Sequence, residues 1–235
     1  MNGETVAIIG GTGDLGLGLA LRWARAGISI IIGSRDGARA EQSAQAVREK
    51  LRAAHPERPD GFSIAGADNP QAASRASIVV LAVPFSAQLP ILKSIRGSLK
   101  DCVLVDATVP LAATLGGKPT RVLGVWEGSA AEQARDAIAG AVPVVAAFHN
   151  VSAELLQDLS ARLECDILVC GDDKQAKSKL FPLIQRIDGL QPVDAGPLEM
   201  ARIVESLTAL LISVNRQYKV HHSGLRITGL ILPAD

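Results

Sequence analysis

The residues of this chain whose types and spacing can do chemistry come early. Gly11-x-Gly13-x-x-Gly16, preceded by Gly10, follows the apolar run Val6-Ala7-Ile8-Ile9 and opens a helical periodicity through Leu17, Leu19, Ala20, Leu21, Trp23 and Ala24. Strand, glycine turn and helix are the context in which this spacing cradles a pyrophosphate. One glycine turns the chain, one lets backbone approach the phosphates, and one lets helix and strand pack closely. An anion there meets the unpaired amides and the positive dipole end of the helix. The alternative is a merely structural glycine turn, and the flanking strand and helix weigh against it. A P-loop is excluded, since no Gly-Lys-Ser/Thr follows. Gly10, Gly11, Thr12, Gly13, Asp14, Leu15 and Gly16 are therefore the first candidate cofactor residues.

The choice of dinucleotide is written at the end of the next strand. Residues 29–33 read as a second buried parallel strand, and Ser34-Arg35-Asp36 follows. NAD enzymes commonly place an acid near this point for the ribose 2′-hydroxyl. Here a hydroxyl and a guanidinium stand instead, and both suit a 2′-phosphate: Ser34 donates one hydrogen bond and Arg35 pairs bidentately. Arg39 lies four residues on, on the same helix face. This pattern favours NADP. Asp36 keeps NAD open, and the bland alternative makes Arg35 and Arg39 solvated helix residues.

Three more strand ends offer chemistry. Residues 78–84 form a strong strand closed by proline, which places Ala82, Val83, Pro84 and Phe85 against the nicotinamide half of a dinucleotide. Residues 102–106 repeat the device, with Val109 and Pro110 beyond. Residues 142–147 read as a sixth strand ending in Ala147-Phe148-His149, so Ala147 joins the cofactor candidates and His149 becomes the candidate catalytic residue. The alternative for His149 is a partly buried ring with its hydrogen bonds satisfied. His55 sits in the turn His55-Pro56-Glu57-Arg58-Pro59-Asp60-Gly61 as a bystander; His221 and His222 are adjacent and lack metal-ligand spacing. No metal site is expected.

What is missing narrows the reaction. Tyr-x-x-x-Lys is absent, since His222 follows the single tyrosine, Tyr218, by four, and there is no Gly-x-Ser-x-Gly elbow. Hydride transfer between two flat rings asks for alignment and exclusion of water more than for acid–base residues. An apolar cleft of Val83, Pro84, Phe85, Val109 and Pro110 suits such rings.

These residues need a doubly wound scaffold to hold them. The chain has 235 residues, long enough for one large domain or two smaller ones, and its 24 basic and 24 acidic side chains cancel. Neutrality argues against broad nucleic-acid or membrane-surface binding. No apolar run is long enough to cross a bilayer and no secretion signal is recognisable. Cys102, Cys165 and Cys170 read as reduced core thiols of a cytoplasmic protein. The remaining expectations are a short strand over 62–66, a brief helix over 71–75, an irregular loop over 111–128 that can cover the cleft, and a capping box at Ser129-x-x-Glu132. Helix, strand, helix, strand follow over 152–163, 166–170, 173–185 and 191–195, with Asp172 and Asp173 as capping groups. A long helix over 198–218 carries Ile203, Leu207, Leu210 or Leu211 and Val214 on one face, with Arg202, Glu205 and Ser206 opposite; an exposed ion pair is the bland reading of its two charges. The fold class is α/β: a Rossmann doubly wound, mainly parallel sheet with a smaller C-terminal α/β domain.

Beyond the glycine turn, a set of motifs resembles the NADPH-dependent coenzyme F420 reductases, also called reduced-F420:NADP oxidoreductases. They are Gly33-Ser34-Arg35, Leu81-Ala82-Val83-Pro84, Phe148-His149, Val169-Cys170-Gly171-Asp172-Asp173, Asp188-Gly189-Leu190, Asp194-Ala195-Gly196-Pro197-Leu198, Arg202-Ile203-Val204-Glu205-Ser206-Leu207-Thr208 and Gly224-Leu225-Arg226-Ile227-Thr228-Gly229. The block from 188 to 208 lies outside the glycine turn and is the specific part. The resemblance implies an NADP-binding Rossmann domain over 1–150 and a small domain over 151–235 that completes the acceptor cleft and the contacts of a homodimer. It implies Thr12, Ser34, Arg35 and a basic residue at Arg39 around the phosphates, with arginine here where the family is expected to carry lysine. It places the deazaflavin ring between the domains, near Val109, Pro110, His149, Arg202 and Ser206. The 111–128 loop matches the family poorly. The implied reaction moves hydride between NADP(H) and coenzyme F420; the alternatives are an NADPH reductase of another flat acceptor, a flavin or a ferric complex, and a non-catalytic NADPH sensor. Arg35→Ala is expected to weaken NADPH binding more than NADH binding in a titration; equal loss for both contradicts the 2′-phosphate assignment.

Overall fold

The computed structural model describes residues 4–58 and 61–230. Pro59 and Asp60 of the expected turn, and residues 231–235 of the expected C-terminal domain, lie outside them. The chain builds β1 (Thr5–Ile9), α1 (Asp14–Arg25), β2 (Ser29–Ser34), α2 (Gly37–Ala54), β3 (Ile64–Asp68) and α3 (Asn69–Ser74) as one half. β4 (Ile78–Leu81), α4 (Phe85–Ile95), β5 (Val103–Asp106), α5 (Ala130–Ala137) and β6 (Val144–Ala146) form the other. The six strands are parallel, in the order β3-β2-β1-β4-β5-β6. Helices on both faces bury β4, β5 and β6 completely and β1 and β2 at all but their ends, which is why these are continuous rather than alternating apolar runs, while edge strand β3 stays half-exposed. Strand order reverses between β1 and β4, so a crevice opens beyond their carboxyl ends.

The second part adds α6 (Ala153–Gln157), β7 (Cys165–Val169), α7 (Lys174–Gln185), β8 (Leu190–Asp194) and α8 (Ala201–Tyr218). β7 and β8 pair in parallel as a separate two-stranded sheet. Cys170 ties that pair to the main sheet by an antiparallel bridge to Ala146, with N–O distances of 2.8 and 3.0 Å. Val145 and Phe148 share one hydrophobic core with Ile167, Val169 and Leu180, so packing runs through residue 150 without a break.

Four expected elements differ in detail. The third strand is Ile64–Asp68, so Phe62 lies outside it and packs its ring against His55 and Arg58. The brief helix is Asn69–Ser74. The helix expected over 152–163 stops at Gln157 because its following carbonyls are taken from outside. Arg22 donates to the oxygens of Leu155, Leu156 and Ala161 at 2.7, 3.0 and 2.9 Å, and Arg25 donates to Leu159 at 2.8 Å. A guanidinium that collects carbonyls holds the segment as a turn wrapped round α1. In α8 the apolar stripe divides: Ile203 is 61% exposed and Leu210 53%, whereas Leu211 is buried and half-buried Leu207 packs against the core, beside buried Val204 and Glu205. Short Ala201 and Ala209 lie on that buried side.

Candidate functional site

The crevice at the strand reversal is a cleft of about 410 Å³, lined by Gly10, Thr12, Gly13, Ser34, Arg35, Arg39, Ala82, Val83 and Pro84 from among the expected residues. Asp36, Asn69, Ala87 and Ile91 also line it. Gly11, Asp14, Leu15 and Gly16 belong to the same turn and helix start but are not part of this lining. Gly10 has φ +80°, and a Cβ there would come within 2.5 Å of the Ala82 carbonyl oxygen. One at Gly16 would come within 2.7 Å of Gly11 Cα. Only glycine allows these backbones to meet.

The helix ends facing the cleft are electrostatically open. Side chains cap α2, α3, α5, α6 and α7, through Asp36, Asp68, Ser129, Ser152 and Asp173. The N-termini of α1 and α4 start at Gly13 and Pro84 and have no side-chain cap. Both sit on the cleft lining, so their first-turn amides leave donor capacity where an anion would lie. Asp36 is committed: its Oδ1 accepts from Ala38 N at 2.9 Å and Arg39 N at 3.3 Å. The side chains of Arg35 and Arg39 make no hydrogen bond or ion pair among the described residues. Uncommitted cations at the end of β2 beside a spent carboxylate answer the doubt that Asp36 raised.

A second polar cluster joins β5 and α4 to α5 and α8. Gln88 Nε2 lies 2.8 Å from Asp106 Oδ2, 2.7 Å from Thr108 Oγ1 and 2.9 Å from the Ala130 carbonyl, three acceptors sharing its two protons. Thr108 donates to Asp106 Oδ1 from its amide and its hydroxyl. Burial pushes the Asp106 carboxyl up to about 6 against those hydrogen bonds. Glu205, 2% exposed, accepts from the amides of Ala130 and Ala131 at 2.9 and 3.0 Å, and burial raises it to about 8. This corrects the exposed ion pair with Arg202. Arg202 reaches Glu132 instead, with two contacts of 2.8 Å, and holds that carboxyl below its ordinary range. Ser129 caps the Glu132 amide as the capping box predicts. The Glu132 carboxylate accepts from the Ser129 hydroxyl and Arg202.

The expected acceptor residues are spread around this cluster. Ser206 donates within its own helix to the Arg202 carbonyl at 3.0 Å, Val109 is half-buried, and Pro110 and Ala147 are buried. Phe85 begins α4 and is half-buried. His149 is 4% exposed, and neither ring nitrogen has a hydrogen-bond partner. Burial alone lowers its pKa to about 4, so its ring is neutral at pH 7. The Thr208 hydroxyl fixes the His149 carbonyl at 2.6 Å. Phe148 before it has φ +68°, with its ring edge-on to Trp23. The cleft thus takes in Gly10, Thr12, Gly13, Ser34, Arg35, Arg39, Ala82, Val83 and Pro84, and leaves Phe85, Ala147 and His149 outside its lining. Among the described residues no group of three or more His, Cys, Asp or Glu can hold a metal, and no helix is long and apolar enough to cross a membrane.

An open parallel sheet with an uncapped glycine turn at its reversal, and a strand end carrying Ser-Arg, defines a Rossmann-type NADP-dependent oxidoreductase. The family model described as "NADP oxidoreductase coenzyme F420-dependent" matches residues 5–110. The F420-dependent NADP reductase of Methanothermobacter thermautotrophicus is 46% identical over 226 residues, 96% of this chain and 95% of its own. That of Methanocaldococcus jannaschii is 42% identical over 96% and 98%. The crystal structure of a candidate F420-dependent NADP reductase from Arthrobacter sp. FB24 superposes with a TM-score of 0.79 at 24% identity, covering 96% of this chain and 100% of that one, and supports the fold. The chain belongs to the F420-dependent NADP reductase family.

Asn69 and Glu205 escaped the sequence reading of the site. The brief helix expected over 71–75 leaves Asn69 outside it, and Glu205 beside Arg202 reads as half of a surface pair. Glu205 also sets a pH dependence. Its folded pKa of about 8 lies above the ordinary 4.5, so the folded state binds the proton more tightly, and stability falls as pH rises through that interval. Glu205→Gln removes the charge and keeps one carbonyl acceptor. The fall in urea midpoint between pH 6.5 and 8 is expected to flatten in this variant, because the Asp106 contribution ends near its value of about 6, below that window. An unchanged slope contradicts the burial of a titrating Glu205.

Proposed function

We propose that the protein transfers hydride between NADP(H) and the deazaflavin coenzyme F420, with NADP along the β1–β4 crevice and the deazaflavin beside its nicotinamide end. Membership of the family supports the reaction. The observation that carries the NADP half is the pair of uncommitted arginines, Arg35 and Arg39, at one end of a cleft that has two uncapped helix N-termini on its wall.

The cleft fits the nucleotide because a cradle that a Cβ would fill is kept empty at Gly10. The α1 amides hold the pyrophosphate, with Thr12 beside them. Ser34, Arg35 and Arg39 hold the 2′-phosphate; each hydrogen bond to a charged group contributes about 1.5–3 kcal/mol. Ala82, Val83, Pro84 and Phe85 shape the place for the nicotinamide, which supplies or receives the hydride when bound. Val109 and Pro110 form an apolar wall for the second ring, and Arg202 and Ser206 stand at its rim. Alignment and exclusion of water do most of the catalysis. His149, neutral, buried and with both ring nitrogens free of protein partners, backs the acceptor side without adding charge. We divide this work at about residue 150, the later part supplying the acceptor wall and subunit contacts.

The three free, buried cysteines fit a reducing cytoplasm. The exposed apolar side chains Ile203 and Leu210 fit a homodimer built on α8. Leu210→Glu is expected to sediment as a monomer where the parent protein sediments as a dimer; parent protein that is already monomeric contradicts the interface.

The reaction is tested by mixing protein, NADPH and oxidised F420 without oxygen and following the deazaflavin absorbance. The expected result is bleaching of F420 matched mole for mole by loss of NADPH. Turnover of a flavin or a ferric complex with F420 untouched assigns another acceptor, and tight NADPH binding without turnover of any acceptor assigns a sensor.

A further inference from the structure

We infer that Asn69 is a further specificity-determining residue of the cleft, donating its side-chain amide to the 2′-phosphate beside Arg35; this rests on the NADP reading above. Asn69 is the first residue of α3 and is 3% exposed, yet it lines the cleft. Its Oδ1 is buried and accepts no hydrogen bond. Gly33 makes its position possible. A Cβ at residue 33 would lie 3.1 Å from Asn69 Oδ1, 2.8 Å from Ile9 Cδ1 and 3.3 Å from Ala72 Cβ. The Asn69 carbonyl is thereby wedged beneath the end of β2, and the amide nitrogen is the end left for the cleft. This gives Gly33 of the Gly33-Ser34-Arg35 motif a purpose that the phosphate-binding residues alone do not explain.

The register brings the pieces together. Ser34 of β2 pairs with Asp68 of β3, so Asn69 leaves its strand next to where Arg35 leaves the neighbouring one. A buried amide with an orphaned carbonyl is costly, and a small apolar residue would fill the same space without that cost. The nitrogen end repays it when an anion is present. An amide N–H donates to phosphate oxygen as a hydroxyl or guanidinium does, without bringing another positive charge beside Arg35 and Arg39. A bare ribose hydroxyl gains much less from it, so the contact discriminates between the two dinucleotides.

The test is a fluorescence titration of the full chain with NADPH and with NADH, which needs no acceptor. Asn69→Ala is expected to weaken NADPH binding about 10-fold and to leave NADH within twofold. Asn69→Asp places an anion where the donor was, and a thermal melt showing a cooperative transition checks that it is folded before it is titrated. It is expected to weaken NADPH about 100-fold and NADH little, since like charges at close range repel strongly. Equal losses for the two nucleotides, or NADPH affinity unchanged in Asn69→Asp, overturn the inference while the parent protein's preference for NADPH leaves the NADP reading standing. A parent protein that binds both nucleotides equally overturns that reading and the inference with it.

Discussion

The structure depends on how closely the β1–α1 turn approaches the end of β4. The Ala82 amide donates to the Ile9 carbonyl at 2.9 Å, and the Gly10 amide donates to the Gly33 carbonyl at 3.1 Å, so the turn is pinned to both neighbours of β1. Side chains would not fit at Gly10, Gly11 or Gly16, where a Cβ falls within 2.5 to 2.8 Å of other atoms. Because the turn lies this flat, α1 starts at the cleft and its amides face it. A larger residue would lift the turn, move the helix and close the space in which two rings have to stack.

Polar groups do the equivalent work on the acceptor side. β5, α4, α5 and α8 are joined by Asp106, Gln88, Glu205, Glu132 and Arg202 rather than by apolar contact alone. Glu205 occupies the α5 N-terminus that an anion would otherwise take, whereas the N-termini of α1 and α4 stay open. The same physics therefore serves structure at one helix end and recognition at two others. His149 lies at the edge of this seam, its carbonyl held by α8 and its ring left without a partner.

Much of the cleft was legible in the sequence because backbone requirements restrict residue types severely. Gly10 to Gly16, the buried strands and Ser34-Arg35 each follow from local rules. What could not be read depends on partners distant in the chain. Arg22 stops α6 by holding carbonyls more than 130 residues away, and Glu205 caps a helix 75 residues before it. Nothing near either residue announces this. Asn69 hid behind a capping aspartate and a proline, since its meaning comes from Gly33 on the adjacent strand. Which members of the α8 stripe meet the core was not readable either, because an apolar stripe at helical spacing has the same pattern whether it meets a core or a second subunit.

The central claim is that two bound rings exchange hydride directly. It is tested most directly by supplying NADPH deuterated at the transferable position of the nicotinamide to oxidised F420 and analysing the product by mass spectrometry. The account predicts one deuterium on the reduced deazaflavin ring for each NADPH consumed, with none lost to water. Reduced F420 without deuterium, formed while the label appears in solvent, would contradict it.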